Sequence, residues 1–270
     1  MSTSPSTEPP LVARLRAAGC VFAEEEAALL ITEAASAETL EQMVRRRISG
    51  LPLEQVLGWS EFFGLRVPVA PGVFVPRRRT ELLAERAVDV ISSRDRPAVV
   101  ELCCGSGAIS LAMAAHTTTS PELHAVDIQP ASVQRASVTL TGLATVYAGD
   151  LFSPLPPALR GRIDAVVANA PYIPTAQLGT MPREARDHEP AITLDGGSDG
   201  LDLLRRIIAA APDWLSPDGC VLLECSEHQS EAVAGIMASA DFRPEIVRRE
   251  ETDATVAIGR RGSGTAEAPR

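Results

Sequence analysis

Lysine is absent from this chain: all 25 cationic side chains are arginine, set against 35 carboxylates for a formal net charge of −10. A phosphate-cradling P-loop, which needs Gly-Lys-Ser or Gly-Lys-Thr, is thereby excluded. The acidic balance also argues against the broad basic face that grips nucleic acid, so direct nucleic-acid binding is not expected. Aromatic residues make up only 4% of the chain, which leaves the core to aliphatic side chains and alanine within a hydrophobic content of 45%. The five cysteines form no Cys-x-x-Cys pair and have no histidine at zinc spacing, so free thiols and no metal site are expected. No apolar run approaches the length of a membrane span. Residues 1–10 are rich in Ser, Thr and Pro, without the basic-then-apolar order of a secretory signal. A cytoplasmic protein with no membrane contact is the expectation, and at 270 residues it has room for one main domain with a small appendage.

Against these absences stands a series of apolar segments that each end in ligand-type residues. Val99-Val100-Glu101-Leu102 runs into Cys103-Cys104-Gly105-Ser106-Gly107 and then into the helical stretch Ala108–Ala115. Glycines at such a strand-to-helix turn allow left-handed backbone angles and the close approach of a ligand. About twenty residues further on, at the spacing of a ribose-binding acid, Asp127-Ile128 ends a second apolar segment. Gly149-Asp150-Leu151 ends a third, and Asn169-Ala170-Pro171-Tyr172 follows the run Ala165–Ala168. Ligands of open α/β sheets bind beyond the carboxyl ends of the strands. Four such ends in succession therefore predict one site: residues 101 and 103–107, with Asp127, Ile128, Asp150, Leu151 and Asn169, around an adenosine-containing methyl donor. A full dinucleotide fingerprint is lacking, because Ala108-Ile109-Ser110 follows where a third glycine would stand. In the tetrapeptide, an Asn beside a rigid Pro and an aromatic presents amide and carbonyl groups to a flat nitrogen, as methylation of a planar nitrogen requires.

The remaining pattern predicts the organisation. Residues 1–10 are expected to be disordered, and 11–60 to be a helical unit, with Leu15, Leu30, Val44 and Ile48 among its apolar positions. Ser36 is placed to cap its third helix, and Gly50-Leu51-Pro52 to end it. The runs Glu24–Glu26 and Arg45–Arg47 read as solvated faces. Residues 61–76 read as a hairpin linker. From 77 to 260, strands alternate with helices as in a parallel sheet with crossover helices, closed by an antiparallel last strand. Within that span, 173–200 reads as a long substrate-shaping surface loop. The tail from Arg260–Arg261 onward is expected to be disordered.

Taken together with Glu61-Phe62-Phe63-Gly64-Leu65, Val75-Pro76-Arg77-Arg78-Arg79-Thr80-Glu81 and Arg186-Asp187-His188-Glu189-Pro190, these motifs resemble the HemK/PrmC family, the protein-(glutamine-N5) methyltransferases acting on peptide-chain release factors. The resemblance covers nearly the whole chain. It implies a Rossmann-like class I methyltransferase domain behind a small N-terminal helical domain, S-adenosylmethionine as cofactor, and a release factor as protein substrate. Residue by residue, it implies that Cys103–Gly107 surround the methionine part of the donor, Asp127 holds the ribose and Asp150-Leu151 touch the adenine. Asn169 would bind the target amide with the Ala170 carbonyl, with Pro171 and Tyr172 packed against it. Three departures stand out: Ala170 where the family has Pro, Cys103-Cys104 where Gly and a small residue are usual, and Arg78-Arg79 in place of a Pro-Asp or Pro-Glu pair. The residues alone leave open an acceptor that is a small molecule or nucleobase amine, or a silent cofactor-binding partner protein. They also leave the oligomeric state unread.

Overall fold

The computed structural model describes residues 10–181, 186 and 188–261. The expectations for residues 1–9 and 262–270 lie outside the described residues.

Four helices open the described chain: α1 (Pro10–Ala17), α2 (Ala23–Glu33), α3 (Ala37–Ile48) and α4 (Leu53–Leu57). Their apolar stripes meet in one cluster around Leu15, Leu30, Met43, Val44 and Val56. The third helix is capped as the sequence predicts, since Ser36 Oγ accepts the Thr39 N–H at 3.1 Å. Arg45–Arg47 occupy its last turn, where the helix dipole favours cations. The two charge runs are not simply solvated faces. Glu26 and Arg47 are buried between α2 and α3 and joined by two hydrogen bonds of 2.6 and 3.0 Å, while Arg47 Nη1 also donates to the Leu51 carbonyl. Helical periodicity explains the difference: one residue of each run faces the partner helix while its neighbours face water.

The hairpin β1 (Trp59–Phe62) and β2 (Leu65–Pro68) starts two residues earlier than expected. It does more than link, because Phe62 and Val67 are fully buried with α5 (Glu81–Ser92) and one face of the main sheet. That sheet has seven strands: β3 (Ala98–Leu102), β4 (Glu122–Asp127), β5 (Ala144–Ala148), β6 (Ile163–Ala168), β7 (Leu215–Glu224), β8 (Phe242–Arg249) and β9 (Ala254–Arg261). Their order is β5-β4-β3-β6-β7-β9-β8, parallel from β5 through β7, with β9 antiparallel to both neighbours. Two boundaries differ from expectation. β7 begins at Leu215 rather than Cys220, and β9 carries Arg260 and Arg261, expected in the tail, in register with β8. Ladder hydrogen bonds order both arginines despite their polarity.

The central strands are apolar throughout because helices cover both faces of the sheet. Alternate residues divide between the two layers: Val100, Leu102 and Val166 join one buried cluster, and Val99, Ala165 and Val167 the other. Helices α6 (Ala108–His116), α7 (Pro130–Thr139), α8 (Asp202–Ala210) and α9 (Ser230–Ser239) complete the layers. Among the described residues, no helix is long and apolar enough to cross a membrane. The strand order reverses between β3 and β6, which opens a crevice at their carboxyl ends.

Candidate active site

A cavity of about 430 Å³ fills that crevice. On one side it is built by the ends of β3, β4 and β5. Cys103 leaves β3 with φ 55°, followed by Gly105 at 55° and Gly107 at 79°. The turn closes through the Gly107 N–H on the Cys104 carbonyl at 2.7 Å. A Cβ on Gly105 would point into open space, whereas one on Gly107 would meet the Leu140 side chain at 2.8 Å. The first glycine therefore leaves room for a ligand, and the second lets α6 pack against α7. Asp127 ends β4, nearly buried, and accepts the N–H groups of Gly105 at 2.9 Å and Gln129 at 2.8 Å. Burial pushes its pKa up, and these N–H groups oppose that shift.

Of the residues expected around the cofactor, Cys103, Gly105, Asp127, Ile128, Asp150, Leu151 and Asn169 line the cavity. Four do not. Cys104 turns away and packs with Ala125, Ala136 and Leu140. Ser106 is buried in the turn, and Gly107 serves helix packing. Glu101 is fully buried and accepts the backbone N–H of Ser110 at 2.8 Å as well as the Ser110 hydroxyl. It ties the first turn of α6 to β3, and burial pushes its pKa up to about 7. A one-residue step along a strand end reverses the side a side chain faces, which a motif read as a block cannot show. Asp150 lines the rim and forms an ion pair with Arg206 of α8 at 2.5 Å. Gln129, Ser132 and Arg206 also line this side, and the sequence reading did not single them out.

The other side is built around Asn169-Ala170-Pro171-Tyr172, which leaves β6 into the cavity wall. Asn169 Nδ2 donates to Thr80 Oγ1 at 3.1 Å, leaving Oδ1 as the carboxamide atom open to a ligand. The Tyr172 hydroxyl donates to Glu224 Oε1 at 3.0 Å, and the Tyr172 carbonyl accepts from Gln229 Nε2 at 2.9 Å. Burial, and then the charge of Glu224, push the Tyr172 pKa far up, so this hydroxyl stays protonated and is no base. Arg79 stands 3.5 Å from Glu224 and 5.8 Å from the Tyr172 ring centre. Arg77 is held by the buried Glu189 at 2.5 Å. The 173–200 segment is anchored by the Ile173 N–H on the Leu194 carbonyl at 3.0 Å, and Ile173 and residues 192–197 line the cavity. His188 lies against the helical unit, 3.7 Å from the place a Cβ on Gly50 would take, and does not line the cavity.

Thr80, Glu189, Glu224 and Gln229 escaped the sequence reading. Thr80 and Glu189 lie inside motifs that carry the resemblance, but no spacing rule links 80 to 169 or 77 to 189.

The donor set fits an adenosyl ligand. It supplies a strand-end carboxylate for vicinal hydroxyls, a glycine floor and the apolar Ile128 and Leu151 for a flat ring, and sheet order and cavity together define a Rossmann-like class I methyltransferase. A family model described as a methyltransferase domain matches residues 99–188. The release factor glutamine methyltransferase of Moorella thermoacetica is 38% identical over 248 residues, covering 89% of this chain and 81% of that protein. The enzyme of the same description from Geobacter sulfurreducens is 37% identical over 203 residues, covering 74% and 69%. Among solved structures, a methyltransferase from Pyrococcus furiosus shares the fold at a TM-score of 0.53 and 14% identity, over 82% of this chain and 99% of that one. The chain belongs to the release factor glutamine methyltransferase family, and its methyl donor is S-adenosylmethionine.

Proposed function

We propose that this enzyme methylates the side-chain amide nitrogen of a glutamine in a peptide-chain release factor, in the cytoplasm. The observation that carries the reading is the Asn169 carboxamide, held from behind by Thr80 and opening into the same cavity as Asp127 and Cys103. Asp127 would hold the donor's ribose, Cys103 and Gly105 would border its methionine part, and Ile128, Asp150 and Leu151 its adenine. The donor supplies an electrophilic methyl group on a positively charged sulfur.

The difficulty then lies with the acceptor, because an amide nitrogen shares its lone pair with its carbonyl. Asn169 Oδ1 and the Ala170 carbonyl would accept the two amide hydrogens. That grip aligns the nitrogen and favours its rehybridised transition state over the flat ground state. The acidity of the nitrogen rises once the new bond forms, so water takes the released proton and no strong base is needed. Pro171 and Tyr172 hold the grip rigid. The helical unit 11–60 would receive the body of the protein substrate, the hairpin 61–76 would join it to the catalytic part 77–260, and the 173–200 segment would shape the acceptor entrance.

The test is incubation of the purified protein with labelled S-adenosylmethionine and a release factor, followed by peptide mass mapping. One methyl on the glutamine of its Gly-Gly-Gln tip is expected. Label confined to another residue, or transfer to nucleobases or small amines in its place, would overturn the acceptor assignment.

A further inference from the structure

Two buried groups behind the Asn169 carboxamide lie outside the roles assigned so far. Thr80 and Glu224 are 3% and 2% exposed, and they stand on different elements, just before α5 and at the end of β7. Asn169 Nδ2 lies 3.1 Å from Thr80 Oγ1, and the Tyr172 hydroxyl 3.0 Å from Glu224 Oε1. The other carboxylate oxygen, Glu224 Oε2, is buried without a hydrogen-bond partner among the described residues. The Thr80 hydroxyl and the Arg79 guanidinium both stand close enough to favour the charged form of Glu224, with Arg79 3.5 Å from Oε1, and Thr80 has a proton to turn toward Oε2.

We infer that Glu224, through the Thr80 hydroxyl, sets which way round the Asn169 carboxamide sits and so makes its oxygen, not its amino group, the atom offered to the acceptor. The donor and acceptor capacities of the three side chains favour this order. A threonine hydroxyl has one proton to give, and a carboxylate can only accept. With Glu224 charged, that proton goes to the carboxylate and Thr80 Oγ1 is left as an acceptor, which Asn169 satisfies with Nδ2. Were Glu224 protonated or replaced by glutamine, it could donate to Thr80. The threonine proton would then turn to Asn169, and the carboxamide would present N–H groups to an acceptor amide that itself brings N–H groups. Thr80 and Glu224 are thus positioning residues. They act through Asn169, and the inference rests on the amide-binding role proposed for it.

The titratable and charged groups facing Glu224 are Arg79, Tyr172 and the neighbouring Cys225. Burial raises the Glu224 pKa, while Thr80, Arg79 and Tyr172 oppose the shift. The acid limb of turnover therefore lies above the ordinary carboxylate range.

The experiment compares full-length wild type with Thr80→Val, Thr80→Ser and Glu224→Gln, at saturating donor with release factor as acceptor. A second measurement follows the side-chain carboxamide signal of Asn169 by nitrogen-15 NMR as pH is lowered, with no acceptor present. Thr80→Val and Glu224→Gln should lose about 100-fold in kcat, the scale of one misplaced hydrogen-bonding group at a transition state, with donor Kd within about three-fold of wild type. Thr80→Ser should restore turnover. Lowering the pH should shift the Asn169 signal in wild type and Thr80→Ser but not in Glu224→Gln, whose turnover should lack the acid limb. Turnover of Glu224→Gln within a few-fold of wild type, or an Asn169 signal indifferent to both Glu224→Gln and Thr80→Val, would overturn the inference. If wild type leaves the release factor unmethylated, the acceptor assignment has failed, and the NMR signal still decides the orientation of Asn169.

Discussion

Replacing Gly200 by alanine probes the brace that holds Asn169-Ala170-Pro171-Tyr172. Gly200 has φ +79°, and a Cβ there would stand 2.2 Å from the Tyr172 carbonyl oxygen and 2.5 Å from Gln229 Nε2. The first of these is fixed backbone and cannot rotate away. The left-handed conformation costs a non-glycine residue about 1–2 kcal/mol, and forcing extra volume into packed structure costs about 1–3 kcal/mol more. Displacing Gln229 also strains its bonds to the carbonyls of Tyr172 and Asp199, at 2.9 and 3.2 Å, worth about 1 kcal/mol each. A loss of about 3–5 kcal/mol is expected in urea unfolding. Turnover should fall at least about ten-fold in the folded fraction, because a small shift of Asn169 misaligns the acceptor. Gly58 is the control: its φ is +83°, but a Cβ there meets nothing within 4 Å. Gly58→Ala should therefore cost only the backbone penalty and leave turnover unchanged. If the two variants lose equal stability, the close approach at Gly200 does not matter and the reasoning fails.

Four further outcomes follow from the same geometry. Asn169→Ala should remove most turnover while calorimetry finds donor affinity within a few-fold of wild type; unchanged turnover would refute the assigned grip. Asp127→Asn, which keeps the shape but weakens a charge-assisted bond worth about 1.5–3 kcal/mol, should weaken donor binding about ten-fold or more, and unaltered affinity would remove Asp127 from the ribose site. Glu26→Ala should destabilise by removing the carboxylate's two hydrogen bonds to the buried Arg47, each worth about 1.5–3 kcal/mol, whereas replacing both residues by leucine and methionine should come closer to wild type; thermal melts of the three proteins check this. Glu101 has its pKa raised to about 7, against about 4.3 for an unfolded glutamate, so the folded state prefers it neutral. Stability conferred by the neutral form is complete below the unfolded value and is lost as pH rises to 7, by up to about 3 kcal/mol. Glu101→Gln should accordingly gain on wild type between pH 5 and pH 8 in denaturant midpoints, and an equal gap at both pH values contradicts the burial argument.

The legible part of the site was its strand ends. Asp127, Asp150 and Asn169 each close an apolar segment, and parallel topology carries all such ends to one edge. Cys103 and Cys104 show where legibility stopped. Both belonged to one turn, yet Cys103 faces the cavity and Cys104 the α7 layer. The Glu24–Glu26 run failed for the same reason: in a helix, consecutive residues point about 100° apart, so only Glu26 could turn inward to Arg47.

Local chemistry along the chain settled the alternation of strands and helices, the helix cap at Ser36 and the glycine turn that follows β3, because period, capping and backbone freedom are properties of neighbours in sequence. The tertiary structure alone decided the contacts of Thr80 with Asn169, Tyr172 with Glu224 and Arg77 with Glu189, which are 89, 52 and 112 residues apart. Those pairings depend on the spatial order of strands and on which face each side chain takes, and no periodicity records a partner so distant.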